Sequence, residues 1–269
     1  MPFITIGAAS HPGMKRKENQ DYHAYHSPLE ENEKNKGTLL ALADGMGGRA
    51  GGSLASMTAV NILMEEYYSD SSHSIPESLE LAFLKANEEV RSKGDNDIHL
   101  QGMGTTLTAV VLKNNRMYYA HVGDSRGYII YGNRISRFTE DHSLMASLIK
   151  AGGITEEEAL KHPDGNMITR AVGIDSDLKV DVSEEYQKIR KGQYILLCCD
   201  GLYRVVSDQE IRDMVYEYQD PDLVCEKLVA KANDNGGPDN ITVLIARVDS
   251  VHLLSDFIGR FRVLRGNRS

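Results

Sequence analysis

The chain has 269 residues, of which 41% are hydrophobic and 26% charged, the make-up of an ordinary globular protein large enough for one sizeable core. A formal net charge of −9 excludes nucleic acid as the main partner, because phosphate backbones recruit clustered Lys and Arg. It also leaves more carboxylates than ion pairing needs, and binding metal is one use for such a surplus.

Phe3 to Ala9 and Tyr22 to Tyr25 read as the first two strands, and a polar loop from Ser27 to Gly37 leads into the apolar run Leu39 to Ala43. From Arg49 to Tyr68, Leu54, Met57, Thr58, Ile62 and Glu65 recur at helical spacing. A second helix is expected over Pro76 to Arg91, with Pro76 at a first-turn position where proline is tolerated. Short strands follow at Thr105 to Leu112, Met117 to Val122, Gly127 to Tyr131 and Ile135 to Phe138. Leu144 to Gly173 is partly helical and lacks a strong apolar period; strands return at Leu178 to Tyr186 and Gln193 to Cys199. Helices over Asp208 to Glu217 and Pro221 to Asn233 precede a last strand, Ile241 to Val248. This order lacks the regular alternation of a doubly wound sheet and predicts an α+β sandwich, strands inside and helices outside.

No apolar run approaches the ~20 residues of a membrane span. The start, MPFITIGAAS, shows no basic segment followed by an apolar stretch, so no secretory signal is read and the chain is expected in the cytoplasm. Its three cysteines, two of them the adjacent Cys198 and Cys199, are expected as buried, reduced thiols.

One arrangement repeats along the chain. Leu39 to Ala43 runs into Asp44-Gly45, Tyr118 to Gly123 into Asp124, and Tyr194 to Cys199 into Asp200-Gly201, while Asp239-Asn240 runs into Ile241 to Ile245. Each aspartate taken alone is a turn signal. With the last strand antiparallel to the others, however, all these carboxylates meet at one sheet edge. Clustered carboxylates repel unless a cation compensates them. Oxygen donors without clustered His or Cys favour Mg²⁺ or Mn²⁺ over Zn²⁺. Two such ions about 3.5–4 Å apart suit in-line displacement at phosphorus. Arg16, ahead of a strand carrying Asp21, offers a planar fork for phosphate oxygens.

The motifs R-x-x-N-Q-D (Arg16 to Asp21), L-A-D-G-M-G-G (Leu42 to Gly48), G-M-G-T-T-L (Gly102 to Leu107), H-V-G-D-S-R (His121 to Arg126), E-D-H-S (Glu140 to Ser143), C-D-G-L (Cys199 to Leu202) and G-G-P-D-N-I-T (Gly236 to Thr242) stand in one order. Together they resemble the metal-dependent protein phosphatases of type 2C, most of all the bacterial branch. The resemblance implies an α-β-β-α sandwich, two mostly antiparallel sheets packed together with helices on both outer faces. It also implies hydrolysis of phosphoserine and phosphothreonine on proteins by a water bridged between two Mg²⁺ or Mn²⁺ ions. The phosphatase domain would span residues 1–248, with a flap at about 145–170, and 249–269 would form a separate tail. Asp44 would bridge the two central ions with the Gly45 carbonyl on one of them, and Asp200 and Asp239 would hold the other. Asp124 would join Asp200 on a third, weaker ion. Asp21 would act through metal-bound water, Arg16 would bind the substrate phosphate, and Asn240 would support the site from behind. Phosphorylated proteins are the implied substrates, a Ser/Thr kinase the implied counterpart, and a monomer the expected state.

The chain departs from the family pattern in three places. Met46 stands where many members have a histidine proposed as general acid, and a thioether cannot donate a proton. Gln20 replaces a common Glu, and Gly165 a common Arg in the flap. His142 is read as a structural hydrogen-bonding residue, and Gly102 to Thr106 as a tight loop. In the tail, Leu253, Leu254, Phe257, Ile258 and Phe261 stand at helical spacing, with Arg260, Arg262, Arg265 and Arg268 making it basic. Such a tail packs on its own domain or stays free more often than it reaches a membrane, so membrane contact is not expected. Two rivals fail. Gly45 to Ala50 matches G-x-G-x-x-A, but the acid ~20 residues on that a dinucleotide site needs would fall in or just after a helix. A catalytically weak, phosphoprotein-binding member would be expected to lack one of Asp44, Asp200 or Asp239, and all are present.

Overall fold

A computed structural model describes residues 3–28, 35–47, 51–155, 158, 162 and 167–251. The strands are β1 (Phe3–His11), β2 (Asp21–His26), β3 (Thr38–Met46), β4 (Gly104–Thr105), β5 (Leu107–Lys113), β6 (Arg116–Val122), β7 (Arg126–Tyr131), β8 (Arg134–Arg137), β9 (Asp181–Val182), β10 (Gln187–Lys188), β11 (Tyr194–Cys198) and β12 (Ile241–Ser250). The helices are α1 (Gly51–Ser69), α2 (Ile75–Asn96), α3 (Leu144–Lys150), α4 (Asp200–Tyr203), α5 (Asp208–Tyr218) and α6 (Pro221–Asp234). One sheet has the order β1-β12-β11-β7-β8; the other runs β10-β6-β5-β3-β2, with β4 added on β3 and β9 on β6. The ladders between these strands are antiparallel.

The layers follow from the two-residue period of the strands. In β3, Leu39, Ala41 and Ala43 face outward onto α1 and α2, where Ala55, Ala59, Leu63, Phe83 and Ala86 cover them. Leu40 and Leu42 point inward and pack against Ile195, Leu197 and Leu244 of the opposite sheet. In that sheet Leu196, Cys198, Val243 and Ile245 turn outward onto Ile211, Val215, Val224 and Leu228 of α5 and α6. A strand buried on both faces reads as an unbroken apolar run, which is why these segments showed no alternation. The result is the expected α-β-β-α sandwich of antiparallel sheets.

Several elements differ from the sequence reading: the strand expected over Thr105 to Leu112 is split at Thr106 into β4 and β5, and the short helix α4 was not expected. The single strand expected over Leu178 to Tyr186 is reduced to β9, followed by the separate β10. The Ser183 hydroxyl takes the Tyr119 N–H at 2.9 Å, a ladder bond that the backbone of a continuing strand would have filled, and the charged Glu184 and Glu185 follow. Helix α2 runs on to Asn96, past the expected end at Arg91, because Gly94 is buried where Leu100 and Met103 pack against it. The tail beyond Val251, Gly165, and Arg49 and Ala50, where the first helix was expected to begin, lie outside the described residues.

Candidate metal centre

β2 and β3 bring two carboxylates face to face: Asp21 is the register partner of Asp44. Like charges directly opposite on neighbouring strands are destabilising on their own. β3 does not stop at Asp44 but continues through Gly45 and Met46, because β4 pairs with them. The backbone of Asp44 is clamped there: its N–H donates to Thr106 Oγ1 at 2.9 Å, and its carbonyl accepts from Thr105 Oγ1 at 2.8 Å and Thr106 N at 2.9 Å. The G-M-G-T-T-L motif, read as a tight loop, is therefore also a threonine clip on a metal-ligand candidate. Thr106 Oγ1 lies 2.8 Å from Ser125 Oγ, which ties the Asp44 turn to the Asp124 turn.

The opposite sheet supplies the remaining acids. β11 ends at Cys198, and after Cys199 Asp200 opens α4. Asp239 lies two residues before β12, the antiparallel neighbour of β11, so the chain returns to the same edge. Gly201 is required for this approach, since a Cβ there would overlap the Asn240 carbonyl. Gly45 is required likewise, since its Cβ would overlap the Gly52 carbonyl.

The electrostatics are those of an uncompensated cation site. Burial, then repulsion from Asp21, Asp200, Asp124 and Asp239, holds the Asp44 carboxyl well above its ordinary range. Burial raises Asp21 to about 6, partly offset by the hydroxyl of Thr242, which donates to Oδ2 at 2.6 Å. Burial, with Asp200 nearby, raises Asp124 to about 7. Asp200 is raised by burial despite Arg204 at its side. A divalent cation fits what these groups lack: Asp21 Oδ1 is buried without a hydrogen-bond partner, and the nearby donors are mostly carboxylate oxygens. Cys199 sits within 4.8 Å of the Asp21 and Asp44 oxygens, yet its sulfur donates to Asn240 O at 3.2 Å and accepts from Thr242 N at 3.0 Å. Burial pushes that thiol's pKa well up, so it stays protonated and leaves the coordination to oxygen.

Arg16 reaches this edge from the loop between β1 and β2. Its Nη2 donates to Asp239 Oδ2 at 2.7 Å while the side chain remains 57% exposed. Asn240 holds that loop in place. Its Oδ1 accepts from Gln20 N at 2.8 Å, and its Nδ2 donates to the carbonyls of Pro12 and Glu18 at 3.0 and 2.9 Å. Gln20 acts mainly through its backbone, whose carbonyl accepts from Ser56 Oγ at 2.6 Å and Gly45 N at 3.2 Å. His142 is pinned between Gly123 N at 3.0 Å and Asp181 Oδ2 at 3.0 Å, a hydrogen-bonding post under the Asp124 turn. Sequence reasoning missed Arg204, whose Nε lies 2.8 Å from Asp200 Oδ2. It also missed Tyr203 and Thr242; the only signal for the pair at 203–204 was adjacency to Asp200.

Comparison with known proteins places this chain in a family. The profile of protein phosphatase 2C matches residues 8–147 and 179–241. The serine/threonine phosphatase stp of Listeria welshimeri is 35% identical over 219 residues, covering 80% of this chain and 86% of that protein. Protein phosphatase PhpP of Streptococcus pneumoniae is 37% identical over 249 residues, covering 91% of this chain and 98% of PhpP. The crystal structure of the catalytic domain of the serine/threonine protein phosphatase PstP with two manganese ions superposes with a TM-score of 0.79 at 31% identity, covering 92% of this chain and 99% of that one. The chain belongs to the protein phosphatase 2C family, on its bacterial branch. It is a metal-dependent enzyme of the serine/threonine phosphatase class, and its cofactor is Mn²⁺ or Mg²⁺.

Proposed function

We propose that this protein removes phosphate from phosphoserine and phosphothreonine of other proteins at the carboxylate edge between the two sheets, and that it opposes a Ser/Thr kinase in the same cell. The observation that carries the reading is the cross-strand pair Asp21 and Asp44 with the buried, unpartnered Asp21 Oδ1, an arrangement that a divalent cation relieves. Asp44, the Gly45 carbonyl, Asp200 and Asp239 would hold the two central ions, and Asp124 with Asp200 a third. When bound, these ions supply Lewis-acid polarisation of phosphoryl oxygens and acidify water.

The protein's own residues do the rest. Arg16, kept charged by Asp239, turns its exposed fork to the phosphoryl oxygens and orients them. Asn240 fixes the height of the Arg16 loop. Asp21, bonded to Thr242 at 2.6 Å and opposite Asp44 on the ladder, would support the ions through water. Met46 donates no proton, so the leaving alkoxide takes its proton from water or from another residue. Selection among phosphoproteins falls to residues 148–178, which the family profile leaves unmatched and which include the flap. Residues 1–248 act as one catalytic domain. No helix among the described residues is long and apolar enough to cross a membrane, consistent with action in the cytoplasm.

The test is turnover of p-nitrophenyl phosphate with Mn²⁺, with EDTA, and in Asp200→Asn and Asp239→Asn. Activity is expected only with Mn²⁺ and only in the unsubstituted chain. Metal-independent turnover, or full activity in either variant, would sink the mechanism.

A further inference from the structure

The pair Asp124 and Asp200 already faces a cation. Arg204 closes α4, its backbone N–H donating to the Asp200 carbonyl at 3.1 Å. Its guanidinium turns back onto both acids, with Nε 2.8 Å from Asp200 Oδ2 and Nη2 3.8 Å from Asp124 Oδ2. The same Asp124 oxygen accepts from the Tyr203 hydroxyl at 3.4 Å. Tyr203 is itself held: Arg126 stacks on its ring at 3.6 Å and is anchored to Asp141 at 2.7 Å. The oxygens that a third ion would use are therefore already engaged by a charged fork and a phenol. This cation is tethered but not entombed. Its side chain is 27% exposed and lines a cleft of about 1180 Å³ that opens between α3 and the start of α5.

We infer that Arg204 is a built-in substitute for the third ion. It neutralises the Asp124–Asp200 pair from within the chain and must swing into the cleft before a metal can take that place. The inference rests on the carboxylate edge being a metal centre, and it deepens that reading. Two positive groups compete for one pair of carboxylates, so the coupling is reciprocal. Whatever draws Arg204 into the cleft tightens the third ion, and the third ion releases Arg204 to the cleft. Asp200 keeps its second oxygen for the central ions, so Arg204 leaves two-ion occupancy intact.

The experiment is Mn²⁺ titration of the full chain, followed by the electron paramagnetic resonance signal of free Mn²⁺. The proteins compared are wild type, Arg204→Gln, Arg204→Lys, Asp124→Asn and the Arg204→Gln/Asp124→Asn double variant. Wild type is expected to take up two ions tightly, and Asp124→Asn to leave that uptake unchanged. Arg204→Gln is expected to bind a third ion roughly ten-fold more tightly than wild type, a typical coupling between competing sites. The double variant returns to two, and Arg204→Lys stays close to wild type because it keeps the charge. Equal third-ion affinity in wild type and Arg204→Gln overturns the proposal. So does a wild-type third ion that is tight and lost in Asp124→Asn, a comparison that stands even if Arg204→Gln does not fold. Fewer than two ions on wild type overturns the metal-centre reading itself, and this inference with it.

Discussion

At the residue scale, the side chain of Asn240 does more than its place in a turn motif conveys. It makes three hydrogen bonds to backbone groups of the loop that carries Arg16. Asn240→Ala leaves those part-buried groups unpaired, at a cost of up to about 1–3 kcal/mol each, less where water reaches them. Chemical denaturation should show a loss of about 2–4 kcal/mol, and the KM for a phosphopeptide should rise because Arg16 is no longer held. Arg16→Lys keeps the charge but loses the fork. We expect kcat/KM to fall by roughly 10²-fold, the scale of losing one preorganised donor to a reacting oxyanion. An unchanged kcat/KM would remove Arg16 from the site. The aspartates were legible from sequence because each follows or precedes an apolar run at a turn residue. Thr242 was not, because nothing in a linear pattern marks a side chain that bonds across the sandwich; Arg204 was not, because its i,i+4 spacing from Asp200 has meaning only once a helix is known to start there.

At the scale of elements, the Asp-Gly pairs were read first as turn signals, and the packing gives two of them a different reason. Gly201 and Gly45 are glycines because backbone carbonyls, of Asn240 and Gly52, occupy the space of a Cβ. Gly201→Ala must push β12 away from α4. This is backbone overpacking, expected to cost about 1–3 kcal/mol or more and to spread Asp200 from Asp239. The checks are a lower denaturation midpoint and weaker Mn²⁺ uptake in the same variant; normal uptake would separate the glycine from the site. Strand and helix order was legible because the central strands are apolar on both faces and the helices are amphipathic. The strand expected over Leu178 to Tyr186 was not, since its interruption depends on one serine hydroxyl replacing a backbone bond of β6.

At the scale of the molecule, two sheets each contribute acids to one edge, and their repulsion acts against the fold until a cation binds. Asp21 and Asp124, raised to about 6 and about 7, hold protons in the folded chain that the unfolded chain has already lost. Their contribution to stability is complete below about pH 4 and is lost as pH rises through about 6 to 7. Mn²⁺ binds the deprotonated folded form, so the difference in Tm between the Mn²⁺-loaded and EDTA-treated protein should widen from about pH 5 to about pH 8. At Mn²⁺ a hundred-fold above Kd, one site alone adds about 2.7 kcal/mol. A difference that narrows with rising pH would show that these carboxylates are not the ligands. The sandwich itself was legible from the order of elements, and the antiparallel return of the last strand was the one condition on which the clustering of acids depended. What sequence could not supply was how the counter-charge is shared out, because Arg16 meets Asp239, and Arg204 meets Asp124, only in three dimensions.

The most direct measurement is phosphate release from a phosphothreonine peptide by the full chain with Mn²⁺, beside the same reaction with Asp44→Asn, whose carboxylate faces Asp21 across the ladder. The account predicts turnover that rises with Mn²⁺, stops with EDTA, and falls by roughly 10³-fold or more in the variant. Turnover that survives EDTA, or an Asp44→Asn protein as active as wild type, would contradict it.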